Sequence, residues 1–203
     1  MKKVCEEMIH YFNPKKEDSL LHFANTLKVL VQSSHHTYKE IVLLCIGSDR
    51  ATGDSLGPLI GHRFMQSAAE DLDSGAQKNF HIYGTLEYPV HAKNLEATLQ
   101  HIQFFHDNPF VIAIDASLGV MEHIGYVTLG TGCLLPGIGV DKKLPAVGDI
   151  FITGIVNLSG FGSQQLLQTT HLHLVFQLAD FIYQGLREVI PQLQLCPALQ
   201  CAE

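Results

Sequence analysis

The sequence predicts a three-layer α/β/α domain built on a mostly parallel sheet, on three observations. Ile41 to Ile46 (IVLLCI) and Phe110 to Ile114 (FVIAI) are apolar at every residue, as strands covered on both faces must be. Segments of helical period lie between such runs. Strand and helix alternate along the chain, which implies right-handed crossovers and helices on both faces of the sheet.

The elements follow in order. Asp18 to Ser33 sets Leu20, Phe23, Ala24, Leu27 and Leu30 on one helical stripe, so residues from about 1 to 35 form an N-terminal helical segment. A polar link from Ser33 to Glu40 leads into the Ile41 to Ile46 strand. Ser55 to Ala68 returns to helix period through Leu56, Leu59, Ile60 and Phe64, with Pro58 in its first turn, where proline is tolerated. Phe80 to Tyr83 is a short strand, and Ala92 to Phe105 a helix carrying Leu95, Leu99, Ile102 and Phe105. After FVIAI, Tyr126 to Leu129 and Ile150 to Val156 read as further strands. Gln164 to Leu186 reads as one long helix through Val175, Leu178, Ala179, Ile182 and Leu186. The core spans about 41–186, and a loose tail follows Pro191.

Composition bounds the function. The chain has 203 residues, the length of a single domain. Its hydrophobic content of 46% against 16% charged residues excludes intrinsic disorder. Thirteen basic and 20 acidic residues give a net charge of −7, which excludes a basic surface for gripping nucleic acid. No apolar run approaches a membrane span, and the glutamates in MKKVCEEMIHYF occupy the place of a signal peptide's apolar centre. Five cysteines without framework spacing fit a reducing cytoplasm. The exposed edge of an open sheet points to a homodimer.

Ligands of open parallel sheets bind beyond the carboxyl ends of the strands. That rule selects three loops: Gly47 to Asp54, Gly84 to His91, and Asp115 to Gly119. Asp54 just precedes a helix and Asp115 directly follows an apolar strand. Taken singly, each has a structural role open to it: Asp54 as a helix N-cap, Asp115 as a loop carboxylate bound to backbone amides. As neighbours they could not both ionise freely. One would keep a proton, giving an acid and a base together to activate water and protonate a leaving amine.

Other chemistries compete for the same residues. A phosphate cradle would need GxGxxG or a Walker lysine, and Asp54 puts negative charge where the phosphate would sit. Gly53-Asp54-Ser55-Leu56 spells GDSL, the signature of a family of serine esterases. Here six residues separate Gly53 from the strand end at Ile46, and the Asp-x-x-His partner is absent. Twelve histidines raise the question of metal, but HExxH and CxxC are absent. His171 and His173 are two apart, which on a helix aims them apart. His35 and His36 lie in a polar link, and most other histidines are expected at the surface. His91 is the histidine to watch, beside Glu87 in the second loop, with a helix-start role as its alternative. Cys133 is expected to be a small buried residue rather than a nucleophile.

The strings IGSDRATGDSLGPLIG (Ile46 to Gly61), YGTLEYPVHAKNLE (Tyr83 to Glu96), IAIDASLG (Ile112 to Gly119) and LPAVGDIFITGIVNLSGF (Leu144 to Phe161) resemble the sporulation protein YyaC family of spore-forming bacteria. That family is similar to the spore germination protease and, more distantly, to hydrogenase maturation endopeptidases. The resemblance implies a phosphorylase/hydrolase-like three-layer fold. Thr52-Gly-Asp-Ser-Leu-Gly-Pro58 matches the germination protease's Thr-Pro-Asp-x-Leu-Gly-Pro. That implies a catalytic role for Asp54, with Gly53 in place of proline; Asp115 in IAIDAS matches the second catalytic aspartate. In the hydrogenase peptidases the corresponding acids help to bind nickel together with a histidine. His91 is the nearest candidate for that histidine, so a metal ion is left open.

The expectation is therefore a cytoplasmic peptidase of the sporulating cell or spore interior, acting on a protein or peptide such as the small acid-soluble spore proteins. Asp54 and Asp115 would be its acid/base pair. Gly47, Arg50 and Gly53 would shape the first loop, with Arg50 as an oxyanion or carboxylate partner, and Glu87 and His91 would line the cleft. The alternatives are a non-catalytic binding protein on the same fold and a GDSL-like esterase using Ser55.

Overall fold

The computed structural model describes residues 8–34, 38–70, 79–137, 144–160 and 162–193. Six strands form one sheet: β1 (Ile9–Phe12), β2 (Ile41–Cys45), β3 (Phe80–Tyr83), β4 (Phe110–Gly119), β5 (Val127–Thr131) and β6 (Ile150–Leu158). Their order is β1-β5-β6-β4-β2-β3. The β3-β2-β4-β6 side is parallel, and β5 and β1 continue it antiparallel.

Side chains on a strand alternate between faces, and the core divides accordingly. Leu43, Cys45, Ile112, Ile114 and Ile152 pack on one face with α1 (Ser19–Gln32), α2 (Leu56–Glu70) and α5 (Leu172–Val189). Val42, Leu44, Ala113 and Phe151 pack on the other face with Leu95 and Ile102 of α3 (Leu95–Phe105). The result is the three-layer architecture that the sequence predicts.

The crossover from β2 to β3 runs through α2 on the first face. The crossover from β3 to β4 runs through α3 on the second, and it carries the chain to the other side of β2. The connections therefore diverge at β2 and β4, and a crevice opens beyond their carboxyl ends, where ligands of such sheets bind.

Four expectations are corrected. The N-terminal segment is not wholly helical: Ile9–Phe12 pairs with β5 as an edge strand, of which Phe12 alone is fully buried. Asp115 to Gly119 is not a loop, because β4 runs on to Gly119 against β6. The long C-terminal helix is two, α4 (Ser163–Gln168) and α5. They are parted where Asn157 of β6 donates to the Leu166 carbonyl at 2.8 Å and the Thr170 hydroxyl binds the same carbonyl at 2.8 Å. The α3 helix starts at Leu95 rather than Ala92, because the chain turns through His91, whose carbonyl accepts from Asn94 and Leu95.

At the C-terminal end Leu193 is packed into the core; the tail from 194 lies outside the described residues, as do His35 and His36. No helix among the described residues is long and apolar enough to cross a membrane.

Candidate active site

The pairing of β2 with β4 ends at Cys45↔Ile114. The Ile46 amide still donates to the Ile114 carbonyl at 2.7 Å, and then β2 leaves the sheet. Asp115 is the next residue of β4. It remains in register with Thr153 of β6 on one side, while on the other the sheet has ended and a cleft begins. A residue that the sequence places at a strand's exit thus lies inside a strand, at the point where its neighbour stops.

Asp54 comes from the opposite wall. The chain leaves β2 through Gly47 and tightens into a single 3-10 turn, Thr52–Ser55, before α2. Gly47 adopts φ +136°, and a Cβ there would collide with the Asp54 carbonyl oxygen, so glycine is required. Gly53 is buried against α4: a Cβ would lie 2.9 Å from both the Leu167 side chain and the Thr170 hydroxyl. Asp54 makes no helix cap. Its Oδ2 accepts from the Ser48 hydroxyl at 3.0 Å, and its carbonyl accepts from the Ser48 amide at 3.0 Å.

Asp54 and Asp115 line one cleft of about 380 Å³, together with Gly47, Arg50 and His91. Ile46, Leu144 and Leu167 supply apolar wall, and Lys93, Gln164 and Gln168 polar rim. Arg50 is exposed at the mouth. The His91 amide donates to Asn94 at 2.8 Å, and its Nδ1 accepts from the Lys93 amide at 3.3 Å. The helix-start role and a place in the cleft therefore coexist in one residue.

The two carboxyls differ in environment. Asp115 is buried, and burial first, then the charge of Asp54, pushes its carboxyl well above the usual carboxylate range; the Ala116 amide, donating at 2.8 Å, opposes this. Asp54 is also raised by burial, but the Ser48 hydroxyl and amide and the charge of His91 hold it back. Desolvation and a like charge are the two conditions that make one carboxyl of a pair keep its proton.

Glu87 is the exception among the expected site residues. The turn from Thr85 to Tyr88, closed by the Thr85 amide on the Tyr88 carbonyl at 3.1 Å, carries it to the surface. It lines an adjoining depression of about 470 Å³, which it shares with His91. Ser55 is buried, and its hydroxyl donates to the Thr52 carbonyl at 2.7 Å, so it presents no nucleophile to the cleft. Cys133 is exposed, against expectation. Asp54, Asp115 and His91 do not form a three-ligand cluster: among the described residues, ligand atoms within 4.8 Å of one another occur in Glu40, His81 and His106 instead. Sequence reasoning missed Ser48, whose signal was its place between Gly47 and Asp54, and α4, whose period merged with that of α5.

Residues 11–185 match the model of a family described as a protein of unknown function, DUF1256. Over 148 residues the chain is 49% identical to a Bacillus subtilis (strain 168) protein described as uncharacterized protein YyaC, covering 73% of this chain and 68% of that one. The chain belongs to the YyaC family. The matched span of the family model runs from within β1 to the last turns of α5, and it takes in β2 to β6 entirely. In this YyaC-family chain the cleft is assembled within that span, from the loop after β2, the interior of β4, the approach to α3, and α4.

Proposed function

We propose that this chain is a peptidase of the sporulating cell, using Asp54 and Asp115 as a paired base and acid on water. The observation that carries the reading is the pair itself. Two carboxyls from different elements share a half-apolar cleft, both are raised by burial, and one is raised further by the other.

The environments assign the roles. Asp54, whose rise Ser48 and His91 oppose, takes a proton from water as the oxygen attacks the peptide carbonyl. Asp115, fully buried and protonated, gives its proton to the departing amine. Water's other proton ends on the new carboxyl product, and one further exchange with solvent restores the pair. Arg50 at the mouth supplies positive charge for the oxyanion or for a substrate carboxylate. The apolar walls of Leu144 and Leu167 suit an extended peptide's side chains.

Small acid-soluble spore proteins are the proposed substrates, in line with the resemblance to the germination protease. The test is their cleavage by wild type and by Asp54→Asn, side by side. Cleavage lost in the variant is the expected result. Equal cleavage by both proteins, or none by either, would transfer the site to a binding role.

A further inference from the structure

A second cluster of chemistry-bearing side chains lies at the other end of β2. Glu40 immediately precedes β2, His81 is the second residue of β3, and His106 caps the end of α3. The five residues of β2 place it about 17 Å from the cleft, at about 3.3 Å per residue. Glu40 Oε2 lies 2.6 Å from His106 Nδ1 and 3.6 Å from His81 Nε2. One ligand atom from each residue falls within 4.8 Å of the other two. The two imidazoles lie with ring centres 4.1 Å apart, tilted by 46°.

Two further observations point to a ligand. His81 Nε2 is buried and has no hydrogen-bond partner, and at 3.6 Å the Glu40 oxygen is beyond hydrogen-bond reach. Buried ring nitrogens are normally satisfied, and a ligated ion would give this one its partner. In addition, the outer nitrogen of His106, Nε2, lies 2.8 Å from the Tyr83 hydroxyl. A metal-bound imidazole characteristically passes its remaining N–H to such a partner, which fixes the ring's orientation.

We propose that Glu40, His81 and His106 form a binding site for one divalent transition-metal ion, with Zn²⁺ the best fit. Two imidazoles and one carboxylate are a borderline donor set that suits Zn²⁺ over the oxygen-seeking Ca²⁺ and Mg²⁺. On binding, the ion takes the place of the proton between His106 Nδ1 and Glu40, and the His106 Nε2–H donates to Tyr83. His81 and Glu40 keep 32% and 25% side-chain exposure, against 8% for His106, so water can complete the coordination. The ion would pin together the start of β2, β3 and the end of α3.

The full chain, stripped with a chelator and titrated with Zn²⁺ in a calorimeter, is expected to take up one ion. Glu40→Gln and His81→Gln, made separately at partly exposed positions so that one folded variant suffices, are each expected to lose at least about tenfold in affinity. Asp54→Asn is expected to bind as wild type does. Failure of wild type to bind at micromolar Zn²⁺, a smaller loss in a folded Glu40 or His81 variant, or loss of the ion in Asp54→Asn would each overturn the site.

Discussion

The two ends of β2 treat a carboxylate in opposite ways. At the carboxyl end, Asp115 is enclosed and its charged neighbour is Asp54, another acid. At the amino end, Glu40 meets two imidazoles, His81 and His106. One strand thus separates a place where acid faces acid from a place where negative charge meets nitrogen donors. The first is costly to fold and useful for moving protons. The second ties three elements together and is suited to holding an ion.

The sharpest way to break this contrast is to neutralise the acids. Asp115→Asn and Asp54→Asn are each expected to lower peptide turnover by about 10²–10⁴, the usual contribution of a positioned acid or base, with the circular dichroism spectrum unchanged. Turnover within a factor of two of wild type would remove the functional half of the comparison.

Next in size is the loop that presents Asp54. Gly47→Ala puts a side chain at φ +136° and against the Asp54 carbonyl. It is expected to destabilise by roughly 1–3 kcal/mol, read as an earlier midpoint in urea. An unchanged midpoint would mean that the loop can relax without that glycine.

A smaller effect, of opposite sign, tests the cost of the acid pair. The Asp115 carboxyl is raised in the folded state. Between its unfolded and folded values the native state binds more protons, so stability falls as pH rises through that window and the penalty is complete above it. Asp115→Asn removes the penalty while its side-chain oxygen can still accept from Ala116. At pH 7 the variant is expected to be more stable by about 0.5–2 kcal/mol, and to lose this part of the pH dependence in thermal melts. A lower melting temperature than wild type at pH 7 would contradict the assignment.

The smallest effect belongs to the amino end. Lys39 and Asp107, next to Glu40 and His106, form an ion pair at 3.2 Å that is 62% and 83% exposed. Lys39→Ala is expected to change stability by about 0–1 kcal/mol. A larger loss in chemical denaturation would show that this surface pair, rather than the Glu40, His81 and His106 trio, holds the start of β2 to the end of α3.

The sequence carried the parallel half of the sheet and both aspartates because each had a local signal. Strands β2 and the start of β4 are uniformly apolar, and the rule that sites lie beyond strand ends then picks out Asp54 and Asp115. What escaped had no local signal. Ile9–Phe12 is an edge strand in which only Phe12 is buried, so neither alternation nor an apolar run marks it. Helices α4 and α5 read as one because the break depends on Asn157, which reaches in from β6. The extension of β4 is drawn out by β6, not by its own AS-LG sequence. Glu40 and His106 are 66 positions apart, and the pairing of β2 with β4 together with the end of α3 brings them into contact. Where most histidines are expected at the surface, the His106 side chain is largely covered, at 8% exposure.

Asp115 keeps its place through an integer. Its partner is Thr153, whose hydroxyl is bound to Thr128 at 2.7 Å and to Ser117 at 3.0 Å. A strand can slip only by whole residues, and a slip of one would turn Asp115 to the opposite face. Asp54 rides on a turn, which can drift by fractions of an ångström as the loop lengthens or shortens. Over descent the two acids would therefore fail differently: Asp54 can be retuned by degrees, whereas Asp115 is either in place or lost. Insertions around the cleft can reshape what it admits, and the strand residue remains the fixed point from which each new geometry is measured.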